Sequence, residues 1–164
     1  MFYLDLFRTL ELHRVRYLLV GGLALNIHGV ERATMDVDLM LALDGGNLDA
    51  FARAARQLGL APVMPVSLDD LADAEKRRGW IEEKHMLAFA LRPPEASAPT
   101  VDILVQPQVD FASAWNRRLE KDLGATRVSL AAVDDLIALK TGTGRQRDEA
   151  DIEALRQLRK LGLG

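Results

Sequence analysis

Two aspartates inside the apolar run Met35-Asp36-Val37-Asp38-Leu39-Met40 are the most restrictive feature of this sequence. Side chains at positions i and i+2 of a β-strand project from the same face, so Asp36 and Asp38 are expected to lie together. Two neighbouring carboxylates beside apolar residues are costly unless a cation or a hydrogen-bond donor compensates their charge. Because Mg²⁺ binds one or two carboxylates together with phosphate oxygens and water, the pair predicts a site for metal and phosphate.

An earlier apolar run, Tyr17-Leu18-Leu19-Val20, ends in the glycine pair Gly21-Gly22 and predicts a short buried strand. A strand-to-helix turn without Cβ atoms lets backbone N–H groups approach a phosphate at a helix N-terminus. The alternative is that the two glycines only allow a tight turn. A third acid, Asp102, lies in the later apolar run over residues 100–105. It completes a set of three carboxylates that could coordinate metal, unless these acids only cap turns or pair with arginines.

These motifs resemble the pattern of the DNA polymerase β-type nucleotidyltransferase superfamily. The narrower resemblance is to small bacterial nucleotidyltransferase-like proteins, including those of the abortive-infection toxin group. It is carried by Gly22-Leu23-Ala24, His28-Gly29, Arg32, Thr34-Met35-Asp36-Val37-Asp38-Leu39, residues 135–140, Gly144-Arg145, Asp148 and Asp151-Ile152. The part from residue 135 to Ile152 is similar to the closing helical segment of those proteins.

The resemblance implies one α+β domain over residues 1–164, with the nucleotidyltransferase fold: a mixed β-sheet, helices packed against it and two C-terminal helices. It also implies a Mg²⁺- or Mn²⁺-dependent enzyme that moves a nucleoside monophosphate from an NTP such as ATP to a hydroxyl. The acceptor would be a protein, tRNA or a small molecule. A toxin of a toxin–antitoxin pair, with an antitoxin partner, is one such role.

The predicted catalytic and metal-binding residues are Asp36, Asp38 and Asp102, and the predicted nucleotide-binding residues are Gly21, Gly22, Arg32 and Lys140. Arg32 could bind phosphate or pair with an aspartate, and Lys140 could meet the triphosphate as a point charge. His28 could face the pocket, although a backbone partner is the more common role for such a histidine.

Two other functions remain open. Superfamily members that modify aminoglycosides or lincosamides contain a comparable pattern of glycines and carboxylates, so an antibiotic nucleotidyltransferase is the enzymatic alternative. A nucleotide-binding, partner-regulated module without catalysis is the other. The presence of Asp102 favours an intact catalytic site, because a missing third acid would have indicated a site that has lost its catalytic activity.

The composition restricts the binding partners, the ligand chemistry and the cellular location that we expect for the protein. The chain has 164 residues, 49% of them hydrophobic, and a net charge of -3. No overall positive charge therefore favours nucleic-acid binding. The absence of cysteine excludes disulfides and thiolate ligands. No apolar stretch is long enough to span a bilayer, so we expect a cytoplasmic protein with no membrane contact.

Local patterns predict the remaining elements. The spacing predicts helices over residues 2–14, 23–27, 67–78, 110–119, 132–141 and 148–161, and one N-capped by Asn47. It predicts strands over residues 36–42, 85–91, 100–105 and 125–130, and at best an edge strand over 61–66. Trp80 and the run Lys76-Arg77-Arg78 are candidates for contact with RNA or another protein, although a solvated helix face explains the basic run as well.

Overall fold

A mixed β-sheet with helices packed against it forms the structure, a computed structural model that describes residues 1–162. The last two residues of the predicted domain 1–164 lie outside this described part. The strands are β1 (Tyr17–Val20), β2 (Val37–Leu41), β3 (Ala61–Pro62), β4 (Ala88–Arg92), β5 (Val101–Leu104), β6 (Leu119–Asp122) and β7 (Arg127–Leu130). The helices are α1 (Phe2–Leu12), α2 (Gly21–His28), α3 (Gly45–Gln57), a 3₁₀ helix (Leu68–Ala72), α4 (Ala74–Lys84), α5 (Phe111–Asn116), α6 (Val133–Lys140) and α7 (Gln146–Lys160). The predicted α+β class and the two C-terminal helices are confirmed.

The sheet order β3-β4-β5-β2-β1-β7-β6 brings distant parts of the chain together. Strand β2 is antiparallel to β1 and parallel to β5, while β4 is antiparallel to β5. The end of β1 therefore lies beside the beginnings of β2 and β5, at one edge of the sheet. The glycine pair follows β1 at this edge, and the acidic positions of β2 and β5 lie next to it.

Apolar side chains on the opposite face of β2 and β5 anchor this arrangement. Val37, Leu39, Val101 and Ile103 are all 0% exposed. Burial of each such side chain is worth roughly 1.5–3 kcal/mol relative to exposure. Because side chains alternate along a strand, these buried residues place the intervening Asp38 and Asp102 on the other face.

Residues 67–84 differ from the single predicted helix over 67–78. Ser67 and Asp70 form the expected capping box, but it caps the 3₁₀ helix, which ends at Ala72. The side chain of Asp73 then accepts hydrogen bonds from the N–H groups of Glu75 and Lys76 and starts α4, which continues to Lys84. A second acceptor in the middle of the predicted helix thus favours a break, as expected for a residue that competes for backbone donors.

Trp80 is not the exposed contact residue that was predicted as a candidate, whereas Lys76 and Arg78 of the basic run are exposed, as expected for a solvated helix face. Trp80 is only 7% exposed and its ring stacks on Phe89, with the centroids 5.2 Å apart. Lys76 contacts Asp70 at 2.6 Å, Arg78 contacts Glu75 at 3.0 Å and Arg77 donates to the Leu71 carbonyl at 2.6 Å. The basic run is therefore engaged in local contacts.

The predicted helix over 110–119 is shorter than its apolar spacing suggested. Helix α5 ends at Asn116, and Leu119 begins strand β6, which pairs with β7 as an antiparallel hairpin. Sequence analysis missed β6 because Leu119-Glu120-Lys121-Asp122 is largely exposed and carries little apolar alternation. Strand β4 also begins three residues later than predicted, and Leu87 lies before it with 79% of its surface exposed.

Asn47 has a different role from the predicted helix cap. Asp44 caps α3 by accepting from the Asn47 N–H at 2.9 Å. The Asn47 side chain is buried instead, donating to the carbonyls of Arg16 and Ala42 and accepting from the Arg16 N–H. It therefore satisfies the backbone where the chain enters β1 and leaves β2.

Within residues 1–162, every helix is too short or too polar to traverse a lipid bilayer.

We predict that Asn47→Ala destabilises the fold more than Asp44→Ala. The first change leaves buried backbone groups without partners, at about 1–3 kcal/mol each, whereas loss of a cap costs about 1 kcal/mol. Urea denaturation of both variants measures the difference. An equal or smaller loss in Asn47→Ala would contradict the role assigned to this side chain.

Candidate active site

One open pocket of about 730 Å³ lies at the sheet edge where β1 ends and β2 and β5 begin. All seven residues predicted from the sequence line it: Gly21, Gly22, Arg32, Asp36, Asp38, Asp102 and Lys140. They come from four separate parts of the chain, so the fold, and not their sequence proximity, brings them together. Their chemical roles stay predictions.

Asp38 and Asp102 are direct neighbours across the parallel pair β2 and β5. Asp36 precedes β2 and is exposed, so it lies outside the strand that was predicted to begin there. Burial and the charges of Asp102 and Asp36 raise the pKa of Asp38 to about 6. Burial and the charge of Asp36 also raise the pKa of Asp102. The charges of Asp36 and Asp102 thus both act on Asp38, as expected for acids gathered in one pocket.

The chemistry of these donors fits a hard divalent cation. Carboxylate oxygens are the ligands that Mg²⁺ takes from proteins, and Asp38 and Asp102 present two of them side by side. Among residues 1–162, however, no group of three His, Cys, Asp or Glu side chains is arranged to hold a metal ion. The side-chain positions in this structure thus bring the acids into one pocket without forming a complete coordination shell.

The two glycines make room for side chains of the site. Gly21 has a φ of +71°, in the left-handed region, and an added Cβ there would overlap the carboxylate of Asp38. At Gly22, an added Cβ would lie 2.7 Å from the hydroxyl oxygen of Thr34. Helix α2 begins at Gly21, so the pair also forms the helix N-terminus that was expected to approach phosphate.

The irregular segment between α2 and β2 carries Arg32, Thr34 and Asp36, and contacts from distant residues fix its path. The Tyr3 hydroxyl donates to the Met35 carbonyl at 2.8 Å, and the Val37 N–H donates to the Thr100 carbonyl at 3.0 Å. Arg32 contacts Asp151 of α7 at 2.5 Å. Of the two roles considered for Arg32, the structure therefore shows an ion pair, and its partner, Asp151, is not one of the three predicted catalytic acids.

Two buried aspartates of α7 hold the basic side chains of the pocket. Asp148 is 1% exposed and accepts from Thr143 and Arg145, both at 2.7 Å, with Lys140 at 3.3 Å. Asp151 is 6% exposed and contacts Lys140 at 2.9 Å as well as Arg32. Burial alone would raise the pKa of Asp148, but the Thr143 hydrogen bond and the charge of Lys140 outweigh it and lower that pKa.

Asp148 lies inside α7, which begins at Gln146, two residues before the predicted start at residue 148, with Arg145 in the N-cap position. The useful signal was its spacing from Asp151: residues three apart on a helix share a face. Here that shared face points at Lys140.

His28 lies outside the pocket. It is 7% exposed, and its Nε2 is 2.9 Å from the Ala131 carbonyl. Burial lowers its pKa, which favours the neutral imidazole that donates this hydrogen bond. The backbone-partner role considered from the sequence is therefore the one observed.

We predict that Asp38→Asn stabilises the metal-free protein near neutral pH, by an amount that disappears towards about pH 4. The folded-state pKa of about 6 lies above the ordinary value of 3.8, so between these values the folded state binds more protons than the unfolded state. Wild-type stability therefore falls as pH rises through this window, and asparagine removes that loss. Urea unfolding of both proteins across the window, in EDTA, measures the free-energy gap. A gap independent of pH would contradict the electrostatic explanation.

We predict that Asp148→Asn destabilises the protein by about 1–3 kcal/mol, because an amide cannot accept from all three of the donors that Asp148 contacts. Asp134→Asn is the matched control, since Asp134 pairs with Arg159 on the surface and has 66% of its side chain exposed. Its loss should be close to zero. Thermal unfolding of both variants measures the difference, and similar stability of the two would show that Asp148 does not organise the pocket wall.

Comparison with solved structures finds the same fold in nucleotidyltransferases. The lincosamide antibiotic adenylyltransferase LnuA, bound to lincomycin, superposes with a TM-score of 0.57 at 15% identity, covering 96% of this chain and 94% of that one. ANT(2'')-Ia in complex with adenylyl-2''-tobramycin gives 0.58 at 13% identity, with 98% and 88% covered. An antigenic nucleotidyltransferase-like protein from Paracoccidioides brasiliensis gives 0.60 at 18% identity, with 98% and 75% covered.

Comparison with curated proteins finds no match. A family model described as "nucleotidyltransferase of unknown function (DUF6036)" matches residues 4–163. The glycine turn, the three carboxylates and the basic pocket wall thus occur in a chain that belongs to the DUF6036 family of nucleotidyltransferases.

Proposed function

We propose that this protein is a Mg²⁺- or Mn²⁺-dependent nucleotidyltransferase that moves a nucleoside monophosphate from an NTP to an acceptor hydroxyl. The observation that carries the proposal is the in-register placement of Asp38 and Asp102 in a pocket that also contains the glycine turn and Lys140. Metal-binding acids, a phosphate-binding helix N-terminus and a cation are the parts that such a transfer needs.

In this proposal, Asp36, Asp38 and Asp102 hold the metal, which would neutralise the triphosphate and stabilise the pyrophosphate leaving group. The acceptor oxygen forms a bond to the α-phosphorus while the bond from that phosphorus to pyrophosphate breaks. Asp102 receives the acceptor proton or positions the hydroxyl. Gly21, Gly22, Arg32 and Lys140 bind the triphosphate.

The biological setting remains part of the proposal. The resemblance to abortive-infection toxins supports a toxin with an antitoxin partner, acting in the cytoplasm on a protein or tRNA. The antibiotic-modifying alternative has a separate support, because LnuA and ANT(2'')-Ia share the fold and their structures contain lincomycin and an adenylylated tobramycin. A binding-only module would leave the three acids without a catalytic purpose.

We predict that α-³²P label from one or more NTPs reaches an acceptor in the presence of Mg²⁺ or Mn²⁺, and that Asp38→Ala reduces this transfer at least about a hundredfold. The acceptors are separate pools of lysate protein, tRNA, lincomycin and tobramycin. Asp49→Ala is the control, since Asp49 is exposed on α3, outside the pocket. It should transfer label at the wild-type rate.

Three results would count against this proposal. Wild-type transfer by Asp38→Ala would exclude the assigned metal site. Equal loss in Asp49→Ala would mean that the assay does not report on the pocket. Stabilisation by NTP and metal without transfer to any pool would favour the binding-only module.

A further inference from the structure

The pocket is divided by charge along the direction of the strand order. The glycine turn follows β1, and the basic side chains of the pocket, Arg32, Lys140, Arg145 and Arg147, belong to the segment before β2 and to the region around α6 and α7. The carboxylates occupy the middle, on β2 and β5. At the β4 end, the lining residues that the structure describes are all neutral: Leu87, Ala88, Leu104, Gln106, Pro107 and Gln108.

Small side chains keep the sheet face open at this neutral end. Asp102 and Leu104 are two residues apart on β5 and therefore project from the same face. Their partners across β4 are Ala90 and Ala88, respectively. Alanine fills little space, so Leu104 and both alanines remain partly exposed, whereas Ile103 on the opposite face is 0% exposed. An apolar strip of sheet thus lies directly beside Asp102.

The surroundings of this strip add apolar surface and hydrogen-bonding groups without adding charge. Leu87 lines the pocket, is 79% exposed and adds apolar surface beside the strip. Gln106 and Gln108 are exposed on the segment that follows β5 and offer both donors and acceptors. The combination of an apolar floor and a few neutral polar groups is typical of small-molecule sites.

Charge complementarity restricts what can bind there. A polyamine would need acids, but the acids of the pocket are the three carboxylates proposed to hold metal and Asp148, which is already paired with Lys140 and Arg145. A polyanion would need cations, and the described lining residues from β4, β5 and the segment after β5 include none. Burial of an unpaired charge on the apolar strip would be costly.

We infer that the neutral end is the acceptor subsite and that the acceptor is an uncharged small molecule, with hydroxyl groups joined to an apolar ring. The ring covers Ala88, Leu104 and Leu87, the glutamines bind polar substituents, and the reacting hydroxyl lies beside Asp102. This inference rests on the proposed function, since it names the acceptor class of the same site.

Three probes that differ mainly in charge test the inference. They are 4-methylumbelliferyl β-glucoside, which is neutral, the corresponding glucuronide, which carries a carboxylate, and the corresponding 2-amino-2-deoxyglucoside, which carries an ammonium group. Saturation-transfer NMR measures binding without turnover, and label transfer from α-³²P NTP measures reaction. We expect the neutral probe to bind about tenfold more tightly than either charged probe. Equal binding of all three, or binding of none, would overturn the inference.

A matched pair of variants locates the binding. Leu87→Glu and Leu87→Gln have nearly the same shape, and Leu87 is exposed, so neither should affect folding. We expect Leu87→Glu to weaken the neutral probe at least about tenfold and to bind the ammonium probe more tightly than wild type does. Leu87→Gln loses the apolar contact without adding charge, so it should weaken the neutral probe less and should not bind the ammonium probe more tightly. Unchanged affinities in Leu87→Glu would mean that the probe does not contact this end.

The two proposals can fail separately. Charge-selective binding that depends on Leu87, with no label transfer from any NTP, would leave the subsite in place and remove the proposed reaction. Label transfer to protein, tRNA or tobramycin, with no preference for the neutral probe, would keep the reaction and overturn the acceptor class.

Discussion

The register between the parallel strands β2 and β5 is the constraint on which the rest of the site depends. It places Asp38 beside Asp102, an unfavourable pairing of like charges. Burial, together with the charges of Asp102 and Asp36, raises the pKa of Asp38 to about 6. The fold tolerates this repulsion because Val37, Leu39, Val101 and Ile103 are fully buried on the other face. A slip by one residue would move the acids into the core and expose the aliphatic side chains, at a far higher cost than the repulsion. The apolar face of the sheet thus determines where the predicted catalytic carboxylates lie.

The glycine turn contributes to the same constraint in a way that differs from the usual explanation of a phosphate-binding turn. The space that Gly21 leaves empty is used by the Asp38 carboxylate, and the space at Gly22 is used by Thr34. The glycines therefore serve the protein's own acidic cluster before any nucleotide is bound. Their second property, an open helix N-terminus at the start of α2, is available at the same time.

The elements with strong local signals could be predicted from the sequence. The buried strands β1, β2 and β5 have dense apolar runs. The glycines and acids in and beside these strands carried the resemblance from which all seven residues that line the pocket were predicted. What could not be predicted depends on tertiary contacts. Strand β6 is exposed and forms because β7 is beside it. Trp80 is next to a basic run in sequence but packs on Phe89 from β4. The Asn47 side chain donates to the carbonyl of Arg16, which lies 31 residues earlier in the chain. The pairing of Arg32 with Asp151, 119 residues away, has no local signature at all.

That pairing has a consequence for the energetics of nucleotide entry. Arg32 and Lys140 already have anionic partners in Asp148 and Asp151, so a triphosphate would approach cations whose charge is largely balanced. Binding is then an exchange of one set of ion pairs for another, and the net electrostatic gain is smaller than the number of basic residues suggests. In return, the side chains are held in place beforehand, so little conformational entropy is lost when the phosphate arrives. Under the proposed function, the pocket would therefore select a metal–triphosphate by geometry more than by general attraction of polyanions.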